Sequence, residues 1–101
     1  MPKITIKLKN PEAFMLEVYV ADKLASSTIP PEAYDVPATS LSGPIPVEAD
    51  GKGYGLITWE SLADGYENEP PGIPFKVKQG DEVPVKAGPK KPDPSPKSRD
   101  R

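Results

Sequence analysis

Proline is the residue that most constrains what this chain can fold into. Fifteen of its 101 residues are proline, and eleven of these lie between Pro2 and Pro84, spread irregularly along the sequence. A proline inside a helix costs about 3 kcal/mol, whereas turns and edge strands accept it. The irregular spacing excludes a collagen repeat, and the wide spread excludes a single linker. The sequence therefore predicts a β protein rich in turns rather than a helical one.

Apolar and polar residues alternate in three pairs of short segments, each pair joined by a turn. The pairs are 3–9 with 14–21, 44–49 with 54–60, and 73–78 with 82–86. In the first segment, for example, Ile4, Ile6 and Leu8 share one face of a half-buried strand. The turns contain Asn-Pro, Asp-Gly-Lys-Gly and Gln-Gly-Asp, so we expect three antiparallel hairpins. Pro84 predicts that the last strand lies at a sheet edge.

The long connection between residues 22 and 43 shows no clear period. We expect an extended crossover with a brief helical turn or a short strand near Asp35–Leu41. Apolar residues should hold it against the core: Ile29, Tyr34, Val36 and Leu41. Six strands, with a seventh in the crossover, predict an all-β fold: a small antiparallel β-sandwich of immunoglobulin-like (Ig-like) architecture, or alternatively a small β-barrel.

The C-terminal residues differ sharply in composition from the rest. We expect residues 1–87 to form the β-sandwich domain and residues 88–101 to form a tail rich in proline, lysine and arginine. Without large apolar residues such a tail is disordered or is ordered by a partner. Residues 1–86 contain eight Lys/Arg against thirteen Asp/Glu, whereas residues 87–101 contain five against two. An acidic body with a basic arm favours docking on an acidic protein surface over nucleic-acid binding.

The tail supplies the predicted partner-binding residues, which are Pro89, Lys90, Lys91, Pro92, Lys97, Arg99 and Arg101. The partner is expected to be a protein, either further copies of this chain or a subunit of a larger assembly. The segment from Pro89 to Pro92 also has the P-x-x-P spacing of a polyproline ligand. That spacing supports a second hypothesis, an adaptor domain whose tail is a peptide ligand.

Catalytic chemistry has few candidate residues in this chain. Cysteine and histidine are absent, which excludes thiol and imidazole nucleophiles and argues against a zinc site. We therefore expect no enzyme activity and no cofactor. An acidic loop leaves a third hypothesis, a calcium- or carbohydrate-binding β domain, with the candidate ligands Glu60, Asp64, Glu67 and Glu69. Tyr54 and Tyr66 could stack on a sugar or a base.

The first residues are charged and lack the apolar region of a signal peptide. The longest apolar run, Ala13 to Leu16, is too short to span a membrane. We therefore expect a location in a virion or in the cytoplasm and no contact with a membrane. Our leading hypothesis is a non-enzymatic structural or interaction protein, such as a small subunit or decoration protein of a phage virion. It would dock by a sheet face and by the basic arm.

Overall fold

The computed structural model describes residues 2–25 and 32–92. Within these residues the chain is all-β and contains no helix. The strands are β1 (Lys3–Lys9), β2 (Leu16–Asp22), β3 (Glu32–Val36), β4 (Ile45–Glu48), β5 (Tyr54–Leu62), β6 (Phe75–Lys78) and β7 (Glu82–Pro84). The predicted all-β fold class is confirmed at this level. The crossover does contain a short strand, but β3 ends at Val36 and so lies earlier than the expected Asp35–Leu41.

The strands form two sheets. The three-stranded sheet has the order β4-β1-β7, and the four-stranded sheet has the order β3-β2-β5-β6. All neighbours are antiparallel except β1 and β7, which are parallel with Lys7 opposite Glu82 and Lys9 opposite Pro84. The expectation of a purely antiparallel fold is therefore wrong at this one pair.

The three predicted hairpins are also wrong. β1 and β2, β4 and β5, and β6 and β7 each lie in different sheets, so every one of the three short loops crosses from one sheet to the other. Strands that are adjacent in the chain pair only across the longer connections, as β2 does with β3 and β5 with β6. The short turns therefore form arches between sheets rather than hairpins within one sheet.

The hairpins were predicted wrongly because a hairpin and an arch between sheets produce the same alternation of apolar and polar residues. In both, every second residue faces the core, and only the hydrogen-bond partners of the strand differ. The predicted turn at Asp50 is present: its carboxylate accepts hydrogen bonds from the amides of Lys52 (2.8 Å) and Tyr54 (2.9 Å). Past this turn β4 pairs with β1, and β5 pairs with β2 and β6.

One hydrophobic core receives side chains from both sheets. The most completely buried of these are Ile6, Leu8, Leu16, Val18, Val36, Ile45 and Ile57. Phe14, Tyr34 and Trp59 pack against this cluster and are partly buried, and for Tyr34 this agrees with the predicted position. Phe75 is 37% exposed, because β6 is an edge strand. Leu41 is 38% exposed, and Ile29 lies outside the described residues.

Asn10 organises the arch between β1 and β2. It is 1% exposed, and its side-chain amide donates to the carbonyl oxygens of Phe14, Val36 and Pro37 at 2.9–3.0 Å. Its Oδ1 accepts a hydrogen bond from the amide of Glu12 at 2.8 Å. These bonds connect the end of β1 to the start of β2 and the end of β3, so one buried amide fixes where three strands meet.

Candidate functional site

The segment that follows β7 packs along the acidic loop after β5. The name strap is used here for residues 86–91. The hydroxyl of Ser61, fully buried, donates to the carbonyl of Lys86, and the amide of Ala87 donates to Glu12 Oε2 at 3.1 Å. Further along, the amide of Glu67 donates to Pro89 O (2.7 Å), and the amide of Lys91 donates to Gly65 O (2.9 Å).

The strap passes very close to the loop at Gly88. A Cβ atom at this position would lie 2.3 Å from the carbonyl oxygen of Glu67 and 3.0 Å from backbone atoms of Asn68. Only glycine fits here without movement of the backbone. The strap therefore depends on one residue whose sequence context, Ala-Gly-Pro, suggested only the beginning of a tail.

The structure places four of the predicted partner-binding residues, Pro89, Lys90, Lys91 and Pro92, in or directly after the strap, all of them exposed. The other three, Lys97, Arg99 and Arg101, lie outside the described residues. Two backbone groups of the P-x-x-P segment, those of Pro89 and Lys91, are bonded to the acidic loop. A polyproline ligand made from this segment would have to release both bonds before it entered the groove of another protein.

The four acidic calcium candidates do not converge. Glu60 lies on β5, Asp64 and Glu67 are exposed, and Glu69 forms an ion pair with Lys86 at 3.7 Å. Among the residues that the structure describes, no group of three or more acidic side chains is placed to hold a metal ion.

An aromatic cleft of about 530 Å³ lies beside the strap, at the end of the four-stranded sheet. Phe14 and Tyr66 stack within it, with ring centroids 4.6 Å apart and planes inclined at 19°. Its other lining residues include Met15, which is 55% exposed, and Glu17, Leu62, Asp64 and Lys91. Tyr54, the second residue expected to stack on a sugar or base, lies at the opposite end of β5. The structure thus does not bring Tyr54 and Tyr66 together.

The face of the four-stranded sheet that points away from the core has its charges separated by sign. We call it the outer face. Its acidic half consists of Glu17, Asp35 and Glu60. Glu17 is paired directly with Asp35 on β3, and Tyr19 is paired with Glu60 on β5. Three carboxylates on neighbouring strands therefore surround one tyrosine.

The pKa of Tyr19 reflects how close its hydroxyl lies to these carboxylates. Its hydroxyl donates to Glu17 Oε2 at 3.0 Å. That hydrogen bond, together with the negative charge of Glu17, raises the pKa of Tyr19 above its usual value. Desolvation and the charges of Glu60 and Asp35 add to the effect. Glu17 is thus the main cause of the raised pKa.

The basic half consists of Lys23, Lys76 and Lys78 at the other end of the same face. Lys76 and Lys78 are paired with Leu56 and Tyr54 at the start of β5, and the Lys76 ammonium lies 5.4 Å from the centre of the Tyr54 ring. Lys23 continues β2 and donates its amide to Leu56 O at 2.8 Å.

The sequence pattern puts Glu17 and Tyr19 on one face of a strand. It predicts neither the acidic half nor the basic half of the outer face. The alternation shows which residues share a face of one strand. It does not show that β2 lies between β3 and β5, and that order is what brings the three carboxylates together.

Comparison with known proteins places no relative beside this chain: no protein-family model, no curated protein and no solved structure matches it. The described part of the chain contains no helix that is long and apolar enough to cross a membrane.

Proposed function

We propose that this chain is a non-enzymatic structural subunit or decoration protein of a larger protein assembly, with a virion as the best single example. In this proposal the body docks through the outer face, and the basic C-terminal arm contacts an acidic protein surface. The observation that supports it most is the outer face itself. A four-stranded surface that carries the half-buried side chains of Tyr19, Leu56 and Leu62 among charges separated by sign suits a protein partner.

We further propose that the two sheets pack as an Ig-like β-sandwich. The support is a three-stranded and a four-stranded sheet that share one core and are connected by short arches. The parallel pairing of the first and last strands departs from the usual immunoglobulin pattern. In the described residues no strand pairing joins one sheet to the other, which favours a sandwich over a closed barrel.

The strap fixes where the arm begins. Since Pro89 and Lys91 bond to the acidic loop, a truncation at residue 87 would remove part of the folded body together with the arm. The arm is therefore best tested by a variant that ends at Pro92, and this variant keeps every described contact of the strap.

The proposal is tested by gradient sedimentation of the tagged chain expressed in the cells from which it comes. We expect wild type to sediment with large particles. Two variants should remain in the soluble fraction: the truncation after Pro92, and the outer-face double variant D35K/E60K. Asp35 is exposed and Glu60 is half-buried, and neither has a described hydrogen bond or ion pair. The truncation removes no described contact of the strap. Both variants should therefore keep their thermal stability.

The matched control is K7E/K9E, a double charge reversal at exposed positions of β1 in the other sheet. It should sediment with the particles as wild type does. Wild type that remains free would refute the assembly role. Variants that sediment as fully as wild type would refute docking through the outer face and the arm.

A further inference from the structure

The charges of the outer face are complementary to those of the same face on another molecule. Its acidic half lies at the end of β5 marked by Glu60, and its basic half lies at the end marked by Tyr54, with β2 and β5 running between the two. When two such faces meet about a two-fold axis that lies between the halves, each acidic half faces a basic half. This is the condition for a closed, self-complementary dimer interface.

Among the described residues, no lysine or arginine forms an ion pair with the acidic half. Glu17 and Asp35 are directly opposite each other on neighbouring strands, an arrangement of like charges that is unfavourable in a sheet. The ion pairs found among residues 2–25 and 32–92 are those of Lys3 with Glu48 and of Lys86 with Glu69, and neither involves the outer face. A facing lysine would relieve this repulsion.

We propose that the outer face of the four-stranded sheet binds the same face of a second copy of this chain, with the acidic half of each against the basic half of the other. This inference rests on the proposed function, because it names the partner of the same surface. Between the two halves, Ala21 is paired with Thr58. The half-buried side chains of Tyr19 in the acidic half and Leu56 in the basic half flank this pair and supply the apolar contact.

The size of the face determines how tight this dimer is. The four strands contain 25 residues (5, 7, 9 and 4). At about 3.3 Å per residue and about 4.8 Å between strands, they cover roughly 400 Å² on each partner. The total of about 800 Å² lies below the roughly 1,000 Å² of stable specific interfaces, in the range of weak contacts. The dimer is therefore transient and sensitive to salt, and its affinity depends on the charge pairs.

Sedimentation equilibrium at low and high salt tests the proposal with two charge-reversed variants. D35K/E60K makes both halves of the face basic, and K76E/K78E makes both halves acidic. Each variant alone should dimerise at least about tenfold more weakly than wild type. An equimolar mixture of the two should recover the affinity as a heterodimer, and the fourfold variant should recover it as a homodimer, because opposite charges face each other again.

Two controls separate this face from other surfaces. K7E/K9E on the three-stranded sheet should dimerise as wild type does, and so should the truncation after Pro92, because the basic arm takes no part in this contact.

Four results would overturn the inference: a monomer at every concentration, a mixture that recovers nothing, equal weakening by K7E/K9E, or loss of the dimer on truncation. A monomeric wild type that still sediments with particles would leave the assembly role intact and show that another protein covers the face. If wild type dimerises but the outer-face variants still enter the particles, docking of the body through this face is refuted. The dimer inference is then kept.

Discussion

At the scale of single residues, polar side chains in the core determine which strands meet. Asn10 is almost fully buried, and its side-chain amide is satisfied by three carbonyl oxygens and one amide. Ser42 has a related role, since its Oγ accepts the amide of Leu8 and donates to the carbonyl of Gly43, both at 2.8 Å. In both cases a side chain forms the backbone hydrogen bonds that a neighbouring strand would otherwise form, at a point where the chain leaves a sheet.

Replacing Asn10 by alanine should lower the free energy of unfolding by about 3 kcal/mol, because several buried backbone groups lose their partner together. Urea denaturation measures the change. Asn68→Ala, at an exposed position, is the matched control and should alter stability by less than about 0.5 kcal/mol. Equal effects of the two substitutions would show that the Asn10 bonds do not hold the arch.

Tyr19 should titrate above pH 10.0, the usual pKa of tyrosine, because its hydroxyl donates a hydrogen bond to Glu17 and three carboxylates disfavour the phenolate. The unfolded chain releases this proton at a lower pH than the folded chain does. The contribution of Tyr19 to stability is therefore complete below pH 10 and is lost as the pH rises through the folded pKa.

The ring-carbon NMR signal of Tyr19 in a pH titration gives this pKa directly. Glu17→Gln should lower it, whereas Glu48→Gln in the other sheet should leave it unchanged. A Tyr19 pKa at or below that of an unfolded tyrosine would contradict the described geometry.

At the scale of elements, the sequence predicted the strands far better than their partners. The alternation of Ile4, Ile6 and Leu8 identifies a half-buried strand, and Pro84 identifies an edge strand, which β7 is. No local signal distinguishes an arch from a hairpin, so all three hairpins were predicted wrongly. The outer face could not be found for the same reason, since it depends on strand order rather than on strand pattern.

The strap is the second element that sequence alone did not reveal. Residues 88–91 have no large apolar side chain, and composition alone favours a tail. They are held instead by backbone hydrogen bonds to loop 65–67 and by the close approach at Gly88. Backbone contacts of this kind depend on the local shape of the folded chain, and the amino-acid composition does not reveal them.

Gly88→Ala should detach the strap, because a methyl group has no room beside Glu67 O. We expect hydrogen exchange at the amides of Glu67 and Lys91 to become at least about tenfold faster, with the core amides unchanged. Gly72→Ala is the control, since a Cβ at Gly72 meets nothing within 4 Å. Unchanged exchange in Gly88→Ala would mean that the strap is not held at this point.

At the scale of the whole molecule, positive and negative charges are separated in two places. The body has a net charge of −5 and the last fifteen residues have a net charge of +3, and the outer face repeats this division over a single sheet. The edges of the three-stranded sheet are protected, since β4 contains Pro46 and β7 contains Pro84, and neither strand can extend its sheet freely. Contacts between molecules through these two edges are thereby disfavoured.

The parallel pairing of β1 with β7 also governs the order in which the protein can fold. Strand β1 lies at the centre of its sheet, and one of its two neighbours is β7, the last of the described strands. During synthesis, the core around Ile6 and Leu8 therefore cannot close before residues 82–84 have left the ribosome. Closing so long a loop costs entropy before any packing is gained, and we expect folding in the millisecond-to-second range of proteins dominated by distant contacts. The packing of the N-terminal third thus depends on a strand made about 75 residues later.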